Sequence, residues 1–246
     1  SDLHTPRRFY NMLRLFKATS PMSIGSWILV GFGVFSSLTA GADLLERVPG
    51  LRWLRGVAKA AQIPAAVAGA GLGTYTATLL SATSTPLWAA APCATAVRFG
   101  SSSVASAAAA LSLGTRRSRL GRDLDKIALA ALALELAGTI AANETYHQTG
   151  VAATMETGPG RVEEIAGTVF GTLFPAGLLA AALLSKRRAS VPAALAHLAT
   201  LAGGAAFRIA FLAAGDCSAR RPDISLRFAQ NHNLPRMRGV PIQQRR

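Results

Sequence analysis

Tyr75, Thr78 and Ser81 stand at near-helical intervals in YTATLLSATSTPLW (75–88), an apolar run that turns polar and stops at Pro86. A phenol followed by hydroxyls can form the wall of a polar pocket at a membrane surface. The same pattern can mark a helix end meeting water, with hydroxyls bonded back to their own carbonyls. Deeper within apolar runs lie Glu135, Arg208, Arg98 and His197. Ionisable groups at membrane depth are costly, which makes each a functional candidate. Glu135 and Arg208 fit two readings: a buried pair that fixes helix register, or part of a proton path. Asp43 and Glu144 fall near the ends of runs, within reach of water.

Other chemistries lack their residues. The two cysteines, Cys93 and Cys217, form no CxxC motif, so neither an iron–sulfur cluster nor a usual zinc site is expected in this chain. They read as a small buried residue and an unpaired tail thiol rather than as a disulfide. Of His4, His147, His197 and His232, only His197 is embedded, which argues against a haem held by two facing histidines. No P-loop and no GxSxG motif occurs. Proton-coupled binding of a small lipophilic redox molecule is the enzyme chemistry left open.

These groups must be positioned by membrane helices. Half of the 246 residues are hydrophobic and only 15% are charged, against about a quarter charged in soluble domains. Six runs are long enough to cross a bilayer: 21–41, 60–81, 91–113, 124–146, 165–184 and 192–213. The fold class expected is all-α, a polytopic transmembrane bundle over 1–213, followed by a basic extended tail over 214–246. Alanine, glycine, serine and leucine dominate, and GxxxG spacings at Gly69–Gly73 and Gly167–Gly171 suit close helix approach.

The formal net charge of +14 would suggest nucleic acid in a soluble protein. Here the basic residues sit in short blocks between apolar runs, as topogenic loops do, so no nucleic-acid partner is expected. The connections at 42–59, 114–123 and 185–191 carry Arg47, Arg52, Arg55, Lys59, Arg116, Arg117, Arg119, Arg122, Lys186, Arg187 and Arg188. The internal connections on the other face carry only Arg161. By the positive-inside rule the basic face is cytoplasmic, and both chain ends lie on the outer or periplasmic face.

Three stretches resemble one family. SDLHTPRRFYNMLRLFKATSPMSIGSWIL (1–29) looks like a DLGRP-like turn followed by RFxxMLR and SPMSxGSW. GTYTATLLSATSTPLW (73–88) is similar to YTGxLLSxTxxPLW, and GGAAFRIAFLAAG (203–215) to a closing helix with an embedded arginine. Together they resemble the NrfD/PsrC-like (polysulfide reductase NrfD) membrane subunits across essentially the whole chain. The resemblance implies eight helices in a bacterial or archaeal cytoplasmic membrane. It implies a menaquinone or ubiquinone site at the membrane surface, with no redox metal in this subunit. The implied partners are a ferredoxin-like subunit with four iron–sulfur clusters and a catalytic subunit, often a molybdopterin enzyme.

Aligned on that pattern, the chain opens inside the DLxxP turn, so the two preceding family helices are not expected here. His4 and Ala77 stand where the pattern has glycine. Tyr75 matches the motif tyrosine, and the resemblance makes it the expected quinone-oxygen ligand. Thr78 and Ser81 could line the same pocket. Asp2 and His4 share a face and could shuttle protons, or cap and solvate the turn. Pro86 and Trp88 suit an interfacial turn and an aromatic anchor facing membrane lipid. The alternative function is a proton-translocating or transport bundle without quinone chemistry, with Glu135 and Arg208 at its core.

Overall fold

The computed structural model describes residues 13–14, 16–46, 48, 50–115, 118–156, 158–184 and 190–230. Among them the protein is all-helical, and each predicted span coincides with a helix. The chain divides into two units, Ser1–Ala82 and Thr83–Arg246. Asp2 and His4 lie outside the described residues, as do Arg47, Arg116, Arg117, Lys186, Arg187, Arg188 and the tail beyond 230.

The first unit is a hairpin of α1 (Pro21–Leu45) and α2 (Leu54–Ser81). Ser20 caps α1 by accepting from the Ser23 N–H, and Pro21 follows at the first helical position, where a missing N–H costs nothing. Small residues bring the two helices close: Ile28 and Phe32 of α1 pack over Gly71 and Gly69 of α2. The Tyr75 ring lies directly on buried Gly25, where a Cβ would overlap it. Across the connection, the Arg55 guanidinium donates two hydrogen bonds to the Glu46 carboxylate at 3.0 and 3.4 Å.

The second unit contains α3 (Pro86–Ala90), α4 (Pro92–Gly114), α5 (Ser118–Thr149), α6 (Gly158–Val162), a π-helical stretch over Glu163–Leu173, α7 (Phe174–Leu184), α8 (Ser190–Ala219) and α9 (Pro222–Phe228). Stretches α6 to α7 run on as one rod, Gly158–Leu184. Its wide π turns precede Pro175, which has no N–H to return to the helix. There the rod meets α8 backbone to backbone: Gly171 and Gly203 touch at their Cα atoms, with no room for a side chain on either. The GxxxG reading thus holds for Gly171, although its partner is a glycine of another helix. Helix α5 ends in a left-handed Gly150 (φ 74°), with Val151 N–H bonded to Tyr146 O and Gly150 N–H to His147 O.

Among the described residues, four helices are long and apolar enough to cross a membrane by length and composition: Pro21–Leu45, Leu54–Ser81, Gly158–Leu184 and Val191–Ala219. Helices α4 and α5 coincide with the other two predicted spans and hold many of the buried polar groups of the unit. Alanines and leucines, among them Ala105, Ala108, Ala128, Leu132, Leu179 and Ala196, form the core between α4, α5, α7 and α8.

Three local expectations differ from the structure. Helix α8 runs on to Ala219, beyond 213, and within the segment expected to be extended Pro222–Phe228 forms α9. Ile224 and Phe228, four apart, bury one face of that short helix, and Pro222 opens it. Asp223 in its first turn accepts from Arg221 at 3.2 Å, and this bond holds its carboxyl below the usual carboxylate range. Cys93, expected to be buried, is exposed; both cysteines are free thiols. Trp88 does more than anchor an interface: its indole N–H donates to Phe211 O at 3.2 Å, and its ring covers Gly215 of α8.

Candidate functional site

In the first unit, α1 and the C-terminal half of α2 enclose an open cavity of about 250 Å³. Its apolar walls are Pro21, Ile24 and Ile28, and its polar wall is Thr74, Tyr75 and Thr78. Tyr75 is half-buried, and its hydroxyl makes no hydrogen bond to another described residue. Gly25 is what lets the ring lie there, so the cavity depends on a glycine one helix away.

The neighbouring hydroxyls follow the local reading. Thr74 donates to Gly71 O at 3.1 Å, Thr78 to Thr74 O at 3.4 Å, and Ser81 to Ala77 O at 2.7 Å. Thr78 still lines the cavity. Ser81 does not, because six residues at about 100° each carry it roughly 120° around the helix from Tyr75. The structure therefore brings Tyr75 and Thr78 together and leaves Ser81 outside.

In the second unit, buried Glu135 on α5 lies close enough for its charge to act on half-buried Arg208 of α8. The Arg208 guanidinium donates to Gly204 O at 2.8 Å, to Ser103 Oγ at 3.1 Å and to Ser102 Oγ at 3.5 Å. Ser102 and Ser103, in the small-residue stretch SSSVASAAAA (101–110), thus solvate a half-buried cation. Arg98 of α4 is 2% exposed, and its guanidinium carbon sits 4.6 Å from the Phe207 ring centroid. Phe99, Phe207 and Phe211 close around the two arginines, with ring centroids 5.0 to 5.7 Å apart. A cavity of about 170 Å³ adjoins Arg98, lined also by Thr139, Asn143, Tyr146, Met155 and Thr168.

One constellation was not legible beforehand. His197 Nε2 lies 2.8 Å from Asp125 Oδ1, and Ser112 Oγ donates to the same oxygen at 3.1 Å. Asp125 and His197 are each 1% exposed. In the sequence, Asp125 belongs to the charged stretch GRDLDK at a predicted helix start, where residue type alone does not distinguish it from Asp123. The signal available was phase: Asp125, Glu135, Thr139, Asn143 and Tyr146 fall within an arc of about 80° on α5. Asp123 is exposed instead, 3.4 Å from Lys126.

Among the described residues, no group of three or more histidine, cysteine or acidic side chains is placed to hold a metal ion. The model of one protein family, described as Polysulphide reductase, NrfD, matches residues 1–217. No curated protein and no solved structure matches the chain.

Proposed function

Because the chain belongs to the polysulphide reductase NrfD family, we propose that it is the quinone-interacting membrane subunit of an oxidoreductase complex, exchanging electrons between a menaquinone or ubiquinone pool and an iron–sulfur partner. Membership itself makes it an integral membrane subunit of a kind generally linked to quinone-related electron transfer, and typically paired with iron–sulfur and catalytic subunits. The observation that carries the residue-level reading is the Tyr75 cavity. Its volume and its apolar walls suit a flat ring, and its one phenol has a hydroxyl left over for a ligand oxygen.

A bound quinone supplies a two-electron, two-proton redox couple. The chain contributes the slot, the donor and the exclusion of water. The Tyr75 hydroxyl donates to a carbonyl oxygen, and the Gly25 seat fixes where that hydroxyl points. Thr78 completes the polar wall. Asp2 and His4 are proposed to pass protons to this site from the preceding turn, and Ser81 is assigned no contact with the ligand. Electrons pass between the quinone and the docked partner, since no redox metal is proposed for this chain.

The test is Tyr75→Phe in the assembled complex. Loss of a positioned donor is expected to lower quinol-linked electron transfer by roughly 10²-fold. Assembly, read by co-purification of the partner subunits, should be unchanged. Wild-type turnover in that variant would remove Tyr75 from the ligand role.

A second reading has its own observation. Buried Glu135 and half-buried Arg208, the latter bonded to Ser102 and Ser103 on the helix that carries Arg98 and its cavity, support movement of protons through the second unit. It stands beside quinone chemistry as a coupled function, or without it as a translocating bundle.

A further inference from the structure

We propose that Asp125 and His197 form a proton relay station inside the second unit, feeding a polar stripe that leads to Arg208 and Glu135. The proposal deepens the proton-movement reading above and rests on it. The pair is built from three helices: Ser112 on α4, Asp125 on α5 and His197 on α8. Helix α7, packed against α5 and α8, carries no charged or titratable side chain between Phe174 and Leu184. The nearby Arg122 of α5 donates to Leu183 O, and Asp123 and Lys126 are exposed. The imidazole and the carboxylate face each other, and the Ser112 hydroxyl shares the carboxylate oxygen.

The chemistry needs both ring nitrogens. Nε2 faces the carboxylate, while Nδ1 is buried with no hydrogen-bond partner among the described residues. A neutral imidazole with its proton on Nε2 presents a lone pair at Nδ1. A proton taken up at Nδ1 gives the imidazolium, and the Nε2 proton can then pass to Asp125 Oδ1. The ring is left neutral, in the opposite tautomer. Only N–H and O–H bonds form and break, and no electron moves. A carboxylate that orients an imidazole for such exchange is a familiar device.

The stripe beyond the pair is continuous in sequence phase. On α8, His197, Thr200, Gly204 and Arg208 share one face over roughly 16 Å of helix. At Gly204 the missing side chain lets Ser106 Oγ, Ser102 Oγ and Arg208 Nη1 close in, each 3.1 to 3.4 Å from where a Cβ would stand, so polar atoms continue the stripe there. On α5 the same stripe runs from Asp125 past Glu135 to Tyr146, roughly 30 Å, the thickness of a hydrocarbon core. A merely structural ion pair would account for Nε2 and the carboxylate but not for a buried Nδ1 with no hydrogen-bond partner among the described residues.

The experiment uses the full complex in lipid vesicles with an internal pH dye, driven by added quinol. Asp125→Asn and His197→Gln are expected to slow proton uptake roughly tenfold or more, while quinol oxidation in uncoupled vesicles and subunit assembly are retained. Asp125→Glu should restore part of the uptake. Unchanged proton uptake in both variants overturns the relay. If a variant fails to assemble, infrared spectra of the unaltered complex over a pH series decide. Imidazole and carboxylate bands that change together, assigned by ring-labelled histidine and labelled aspartate, support the relay. If the bands do not change at any pH at which the complex stays assembled, the relay is overturned. An unaltered complex that quinol cannot reduce at all would defeat the quinone reading alone, because the infrared titration still reads the pair.

Discussion

At the scale of single residues, function depends on contacts between helices more than on the reactive groups themselves. Tyr75 can serve a ligand only if its ring stays on Gly25, where the structure leaves no room for a Cβ. Gly25→Ala is therefore expected to displace the phenol and to lower quinol-linked turnover on the order of 10²-fold, with the Tyr75 side chain still present. Steady-state quinol oxidation in the assembled complex checks it; turnover within about twofold of wild type would mean that the ring position is immaterial. Glu135 makes a separate prediction. Glu135→Gln keeps the shape of the side chain and removes its charge beside Arg208. Protons moved per electron are expected to fall while quinol oxidation continues. An unaltered ratio would leave Glu135 as a structural counter-charge for the arginines, which is the bland account of a buried carboxylate.

At the scale of elements, small residues decide which helices meet and at what distance. Gly171 of the π-helical stretch and Gly203 of α8 touch through their backbones, whereas Gly177 of α7 faces open space. The two glycines should respond to alanine with opposite signs. Gly203→Ala forces the rod and α8 apart and is expected to destabilise by about 1–3 kcal/mol. Gly177→Ala relieves helix entropy at no steric cost and should stabilise by roughly 0.5–1 kcal/mol. Thermal unfolding in detergent measures both; equal shifts would refute the close contact. The same scale explains why α5 is both helix and conduit. Asp125, Glu135, Thr139, Asn143 and Tyr146 share one arc, and Ile127 and Leu134 are exposed on the other side, so one helix serves lipid on one side and buried polar chemistry on the other.

At the scale of the whole molecule, the charge distribution proposes an orientation. Basic connections at 42–59, 114–123 and 185–191 belong on the cytoplasmic side, which puts the 147–164 connection outside. Glu156 is exposed in that connection. Glu156→Cys, made with Cys93 and Cys217 replaced by alanine, is expected to react with a membrane-impermeant maleimide added outside intact cells. Labelling from the cytoplasmic side alone would invert the orientation. The division of labour between units is open to the same kind of test. Tyr75 variants should lower electron transfer, and Asp125 variants should lower proton movement at retained electron transfer.

By itself, the sequence determined the membrane class, the six helical segments, the family, and the identity of Tyr75, Glu135, Arg208 and His197 as groups worth watching. Those follow from run length, polarity and short motifs, which are local properties of the chain. Only the tertiary structure decided that Ser81 leaves the Tyr75 cavity, that Ser102 and Ser103 solvate Arg208, and that Asp125 meets His197 across helices. The physical reason is rotational. Hydropathy and length make a segment a helix whichever way it is turned, whereas which side chains face each other depends on the angle and height at which separate helices pack. That registry is set by contacts such as Gly171 against Gly203 and Tyr75 against Gly25, between residues far apart in the chain.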